Sequence, residues 1–424
     1  MDKFYIEQSI PLTGEVKVSG AKNAALPIIA AALLPDSPCK LDDIPDLKDV
    51  NHLSQILEGM GARVKYGPNS LEIDPRSADE FEANPELAQK LRASYYILGV
   101  MLAKTGRART SLPGGCKIGN RPIDLHLKGF RALGAEVEIE QGTVEVRADK
   151  LRGSDIYLDY PSVGATINIM LAASRAEGRT VIENAAREPE IVDLANFLTV
   201  MGAEIKGVGT DVIKIEGVDE MHGVEHEIIP DRIEAGTYII AGALAGEDIF
   251  VHNVLDEHLK PLLAKLREMG VDIQQDISGV RVSRPETLNS VDVKTLPYPG
   301  FPTDLQAQMM VLLTQAESSS VVTETVWEDR FSHVEELNRM GARIKLDDNS
   351  ALITPAGLEG AEVTAPDLRA GAALILAGLI AEGETVINEI GHVRRGYERV
   401  VEKINGLGGS MEQIKDHKNQ VTTA

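Results

Sequence analysis

Residues 53–74 read LSQILEGMGARVKYGPNSLEID. Leu53, Ile56, Leu57 and Met60 fall at i, i+3, i+4 and i+7, the apolar stripe of an amphipathic helix. Gly61 stands where that helix needs a C-terminal cap. A hairpin-like pair of strands follows, as in AEVEIEQGTVEVRA (135–148), where Val144 and Val146 alternate with polar residues. The Leu/Met-Gly-Ala anchor, or a near variant, recurs at Gly61, Gly134, Gly202, Gly270, Gly341 and Gly408, with spacings of 73, 68, 68, 71 and 67. Six units of about 70 residues fill the chain, so the repeat is the architecture.

Ahead of each amphipathic helix lies a segment of small apolar residues: AKNAALPIIAAALL (21–34), RASYYILGVMLAKTG (92–106), SVGATINIMLAASRAEG (162–178), DRIEAGTYIIAGALAG (231–246), TDLQAQMMVLLTQAE (303–317) and DLRAGAALILAGLIAEG (367–383). Length and alanine content predict buried helices. Short β-branched stretches such as Thr180–Ile182 and Thr385–Ile387 follow as strands. One unit therefore reads βαβαββ. Three units around a common centre bury three apolar helices, so six units predict two α/β globes of three; an open solenoid is the alternative.

Among the 424 residues, Lys and Arg number 43 and Asp and Glu 65, for a net charge of −22. That sign disfavours broad nucleic-acid or anionic-membrane binding. Aromatics at 4% leave no base-stacking surface. The longest apolar runs, 24–34 and 371–381, have eleven residues, against about 20 for a membrane span. Two cysteines exclude a disulfide scaffold and suit a reducing cytoplasm, and MDKFYIEQSIP lacks the apolar core of a signal peptide. The nine histidines show no metal spacing, and no P-loop or dinucleotide fingerprint occurs, so no metal or organic cofactor motif is visible.

Irregularities in the repeat point to chemistry. Gly106 to Gly134 spans 28 residues where the equivalent interval elsewhere is 24 or 25. The excess falls in SLPGGCKIGNR (111–121), which places Cys116 beside Lys117 and near Arg121, cations that favour a thiolate. A surface hairpin with an incidental cysteine is the other reading. Cys39 has no such surroundings and reads as structural. Basic residues at helix starts are the second irregularity: Lys22 and Arg92 open apolar helices, and Arg121, Arg187, Arg330 and Arg395 precede amphipathic ones. A helix N-terminus already favours anions, so a cation there gains nothing from the dipole. Convergent ends would make an anion site; pairing with acids such as Glu188, Glu190 or Asp329 is the alternative. In Phe-Pro-Thr-Asp, Asp304 is either a functional carboxylate or, with Thr303, an N-cap. Asp231 and Asp367 occupy comparable positions.

The segments SGAKNAALPI (19–28), RAS (92–94), LPGGCKIGNRPIDLH (112–126), SVGAT (162–166), ENAAREPEIVD (183–193), FPTDLQAQ (301–308), TETV (323–326), DLRA (367–370) and RRGYER (394–399) together closely resemble the UDP-N-acetylglucosamine 1-carboxyvinyltransferase (enolpyruvyl transferase) family of the EPSP synthase superfamily. The resemblance runs through essentially the whole chain. It implies two inside-out α/β barrel-like domains, 22–229 and 1–21 plus 230–424, with substrates between them and the Cys116 loop closing over. The implied reaction moves enolpyruvyl from phosphoenolpyruvate to the 3′-hydroxyl of UDP-N-acetylglucosamine, releasing phosphate, as the committed step of peptidoglycan synthesis.

By the same resemblance Lys22, Asn23, Cys116, Arg121 and Arg395 hold phosphoenolpyruvate. Asp304 takes the hydroxyl proton. Cys116 protonates the enolpyruvyl methylene, can also add covalently to the enolpyruvyl carbon, and is the residue alkylated by fosfomycin. Arg92, Arg121, Pro122, Ile123, Asp124, Leu125, Ser162, Val163, Gly164, Asp304 and Val326 contact the sugar nucleotide. Tyr160 stands where some members carry Lys; a ring there could pack on the base. Two rivals are transfer to shikimate 3-phosphate, whose enzymes lack the Cys loop, and a silent sugar-nucleotide-binding paralogue.

Overall fold

A computed structural model describes residues 2–112 and 123–415. The described residues form two compact units. One holds those up to Ser19 and those from Pro230 onward; the other holds those from Gly20 to Ile229. Each has its own apolar core.

The third repeat displays the unit most plainly. Strand Asp155–Tyr157 leads into the buried helix Val163–Ala173, and strand Arg179–Glu183 returns parallel to the first, with Val181 opposite Asp155. The amphipathic helix Pro189–Val200 follows, then the hairpin Glu204–Lys206 with Val212–Glu216, which adds antiparallel to the sheet. The described residues give five such four-stranded sheets and one of three strands.

Physical chemistry explains the anchor tripeptide. All six anchor glycines have a left-handed backbone, with φ between 82° and 118°. The amide after each bonds back to a carbonyl five residues earlier: Ala62 to Leu57, Ala135 to Phe130, Ala203 to Leu198, Val271 to Leu266, Ala342 to Leu337 and Gly409 to Ile404. This is a Schellman C-cap, in which only glycine adopts the required conformation without strain. The apolar residue before the glycine closes the helix stripe: Met60, Leu133, Met201, Met269, Met340 and Leu407 are wholly buried.

The central helices are buried on every side, which is why their sequences lack a polar face. In one unit Tyr96–Thr105 packs on both Lys22–Ala31 and Val163–Ala173; in the other Arg232–Ala245, Gln306–Leu313 and Leu368–Ile380 pack mutually.

Each ring of three closes with a strand from outside the expected order. Glu225–Glu227 pairs parallel to Cys39–Asp42 and supplies the leading strand of the first repeat. Leu12–Lys17 does the same for the fourth, beside Gly246–His252. Lys3–Glu7 inserts between Glu384–Asn388 and Ser410–Ile414, antiparallel to both. No described helix is long and apolar enough to cross a membrane.

Candidate functional site

In the unit containing Asp304, the three central helices bring their N-terminal ends to one cluster of charge. Asp231 caps the helix Arg232–Ala245, its Oδ1 accepting from the Ile233 and Glu234 amides at 2.8 and 3.1 Å. Asp367 caps Leu368–Ile380 in the same way, through the Arg369 and Ala370 amides at 2.8 and 3.1 Å. Asp304 does neither. It lies in the turn Thr303–Leu305, and no side chain caps the helix Gln306–Leu313. The N-cap alternative is therefore set aside for Asp304.

Its carboxylate instead joins two buried arginines. Oδ1 accepts from Arg330 Nη2, and Oδ2 accepts from Arg369 Nη2 at 2.8 Å. The arginine side chains are 5% and 8% exposed and that of Asp304 is 29%, so the acid presents an accessible edge while its counter-ions stay buried. Burial by itself would raise the Asp304 pKa. The charges of Arg369 and Arg330, the Arg369 hydrogen bond and the charge of Arg232 outweigh it and hold the acid well below the usual carboxylate range. Arg330, one of the cations at helix starts, thus finds its partner in Asp304. Val326 lies in a loop fixed by the buried Glu324: Glu324 Oε1 accepts from the Val326 amide and Thr295 Oγ1, each at 2.8 Å, while Oε2 accepts from Thr303 Oγ1 at 2.9 Å. Arg395 ends the turn Val393–Arg395 and is half-buried.

In the other unit Lys22 opens its central helix, with Nζ 3.5 Å from Asp49 Oδ2 and both side chains largely buried. Asn23 beside it is exposed. Arg92 starts the turn Arg92–Tyr95 that feeds Tyr96–Thr105. Ser162 caps Val163–Ala173, its Oγ accepting from the Ala165 amide at 3.3 Å, so Ser162, Val163 and Gly164 form that helix entrance. Ile123 precedes the helix Asp124–Ala132, in which Asp124 is exposed and Leu125 buried. Arg187 pairs with Asp211 at 3.4 Å rather than with Glu188 or Glu190. Cys116, Arg121 and Pro122 lie outside the described residues. Cys39 is buried, and burial pushes its thiol up to about 11.

His126 links these positions. Its Nδ1 is 2.8 Å from Asn168 Nδ2, which also donates to the Tyr95 carbonyl, while Asn168 Oδ1 accepts from the Gly99 amide. The Asn168 orientation is therefore fixed, and His126 Nδ1 must accept. Burial, reinforced by the charge of Arg92, lowers the His126 pKa to about 4, so the ring is neutral. A Cβ on Gly164 would come within 3.0 Å of this ring, which explains glycine there. Tyr160 is 45% exposed; burial and the nearby Asp124 raise its hydroxyl pKa, opposed by Arg92. Among the described residues no group of His, Cys, Asp or Glu could hold a metal ion.

Sequence reasoning did not single out Arg369, Glu324 or His126. Arg369 had a signal: it is the lone charge within the otherwise apolar LRAGAALILAGLI (368–380).

A family model described as EPSP synthase (3-phosphoshikimate 1-carboxyvinyltransferase) matches residues 6–404. UDP-N-acetylglucosamine 1-carboxyvinyltransferase of Halothermothrix orenii is 70% identical over 415 residues, spanning 98% of this chain and 100% of its own. Among solved structures, the enolpyruvyl transferase NikO from Streptomyces tendae superposes with a TM-score of 0.90 at 26% identity, over 98% of this chain and 99% of that one. EPSP synthase from Acinetobacter baumannii shares the fold, with a TM-score of 0.79 at 18% identity over 98% and 100%. The chain is a transferase of the EPSP synthase family and belongs, within it, to the UDP-N-acetylglucosamine 1-carboxyvinyltransferases.

Proposed function

We propose that this chain transfers enolpyruvyl from phosphoenolpyruvate to the 3′-hydroxyl of UDP-N-acetylglucosamine. The observation that carries the reading is 70% identity along 98% of the chain to a relative of that name, joined to an accessible Asp304 carboxylate kept ionised by Arg330 and Arg369. Two steps balance the reaction. The 3′-oxygen adds to C2 of phosphoenolpyruvate as its proton leaves and C3 gains a proton. Phosphate then departs as C3 loses a proton and the double bond re-forms. Asp304 is suited to align the hydroxyl and accept its proton; with so low a pKa it is a weak base that does not retain that proton. Cys116 supplies the C3 proton and can be captured as a pyruvate adduct. Lys22, Asn23, Arg121 and Arg395 neutralise the phosphate and carboxylate of the donor. Arg92, Arg121 to Leu125, Ser162 to Gly164, Asp304 and Val326 hold the sugar nucleotide, with Tyr160 against the base.

In the cell this is the committed step of peptidoglycan synthesis, run in the cytoplasm on small-molecule substrates, without a cofactor, and needed for cell shape and division. Residues 22–229 and 1–21 with 230–424 act as the two domains.

The direct test is phosphate release from phosphoenolpyruvate. Release should require UDP-N-acetylglucosamine and should not be supported by shikimate 3-phosphate; the reverse pattern would overturn the reading. Asp304→Asn should fold and lose about 10²–10⁴-fold in kcat. Cys116→Ala should lose turnover and the fosfomycin adduct, whereas an adduct mapped to Cys39 would remove Cys116 from its role.

A further inference from the structure

Behind Asp304 lies a buried polar node that none of these roles uses. Gln308 is completely buried, and its Nε2 reaches three oxygens: the Asp304 carbonyl at 3.1 Å, and Thr237 Oγ1 and Tyr397 Oη at 3.2 Å each. Every proton in the node can be assigned. Thr237 donates its single hydroxyl proton to the Ile233 carbonyl at 2.8 Å. Tyr397, 2.8 Å from Thr237 Oγ1, must therefore donate to it. Both oxygens are then left as acceptors, as is the Asp304 carbonyl. Only a donor can face three acceptors, so the amide nitrogen of Gln308 must point here, its two protons shared among the three oxygens, and its orientation is fixed.

The cost of that orientation is visible. Among the described residues Gln308 Oε1 is buried without a hydrogen-bond partner, and an unsatisfied buried acceptor is destabilising. An apolar side chain of similar length would avoid this. The node also reaches Asp304 from a second direction. The Tyr397 ring faces the Arg369 guanidinium, 6.0 Å from carbon to ring centroid, and Arg369 donates to Asp304 Oδ2. Gln308 thus holds the main chain of Asp304, and Tyr397 backs the arginine that holds its carboxylate. Tyr397 lies two residues beyond Arg395, and its amide bonds back to the Val393 carbonyl at the start of that turn.

We infer that Gln308 and Tyr397 are positioning residues for the reaction, which fix the Asp304 carboxylate through its backbone and through Arg369. The inference rests on the reading of Asp304 as proton acceptor. Misplacing a reacting group by about 1 Å can cost on the order of 100-fold in rate, whereas binding contacts elsewhere are untouched.

The test uses the full-length enzyme and phosphate release, with Gln308→Met and Tyr397→Phe made alone and on Asp304→Asn. Each single variant should lose about ten- to a hundredfold in kcat, with the KM for phosphoenolpyruvate little changed. Gln308→Met removes the unsatisfied acceptor but also takes the donor away from the Asp304 carbonyl, Thr237 Oγ1 and Tyr397 Oη, so a thermal melt is run alongside to establish that the variant is folded. On Asp304→Asn neither change should lower kcat further, since the group being positioned is gone. Normal kcat in a folded variant would overturn the inference, as would a full additional loss on Asp304→Asn. Should Gln308→Met fail to fold, Tyr397→Phe, which deletes one oxygen, decides alone. Wild-type kcat in Asp304→Asn itself would instead remove the proton-acceptor reading on which the inference rests.

Discussion

At the scale of the residue, identical chemistry at equivalent repeat positions has been put to different uses. Asp231 and Asp367 spend their Oδ1 atoms on helix amides, where asparagine would serve nearly as well. Asp304 leaves its helix uncapped and meets Arg330 and Arg369 instead. Asparagine there leaves two buried cations short of a counter-charge, so Asp304→Asn should fold with a lowered melting temperature. His126 shows the opposite electrostatic habit. It is 8% exposed, lies within the field of Arg92, and must accept a hydrogen bond from Asn168, so the fold selects its neutral form. The pKa near 4 lies below the ordinary 6.5. Between these values the unfolded chain binds more protons than the folded one, and stability therefore falls as pH drops through that window. Going from pH 7 to pH 5 should cost about 2 kcal/mol through this one group. Thermal melts of wild type and His126→Gln at the two pH values check this. The variant should show a shallower pH dependence; equal slopes would mean that His126 is charged in the native state.

At the scale of the element, helix packing separates glycines that are needed from those that are not. Gly99 lies inside the buried helix Tyr96–Thr105, where an added Cβ would fall 2.6 Å from both the carbonyl oxygen and Oδ1 of Asn168. Neither neighbour can yield, because Asn168 is held by the Gly99 amide, Tyr95 and His126. Gly99→Ala should therefore destabilise by about 1–3 kcal/mol. Gly59 ends the outer helix Lys48–Gly59 and has nothing within 4 Å of its would-be Cβ. Gly59→Ala should stabilise by up to about 1 kcal/mol. Urea melts of the two variants give both signs, and a matching sign would show that helix propensity rather than packing governs these positions. The same contrast explains how much of the site could be read in advance. Lys22, Arg92 and Arg330 announce themselves as charges opening or preceding helices, because local sequence determines where a helix begins. The pairing of Asp304 with Arg369 spans 65 residues and that with Arg330 spans 26. The first depends on how two repeats meet and the second on how distant segments of one repeat pack, which no local pattern encodes.

At the scale of the whole molecule, the anchor spacing made the repeat legible because a Schellman cap requires glycine at one fixed position. Ring closure was not legible in that spacing. Strands Lys3–Glu7 and Leu12–Lys17 have no repeat of their own; they complete sheets whose other strands lie more than 200 residues away in sequence. Their place follows from hydrogen bonding, since without them Glu384–Asn388 and Ser410–Ile414 would lose the strand between them. The unit of Gly20 to Ile229 is complete without such help, because Glu225–Glu227 closes it from within. A fragment of residues 20–229 should therefore fold cooperatively alone. A fragment of residues 230–415 should not, because the buried Phe4, Ile6, Leu12 and Val16 are missing from its core and two sheets are incomplete. Joining residues 3–19 after Ile414 through a short flexible linker should restore folding. In that order Ser410–Ile414 and Lys3–Glu7 become consecutive antiparallel strands, the hairpin that closes the other repeats. Far-UV circular dichroism and thermal melting of the three fragments provide the measurement. Cooperative unfolding of 230–415 without the added strands would show that the apolar helices alone hold that unit together, and that the N-terminal strands are a covering rather than a part of its core.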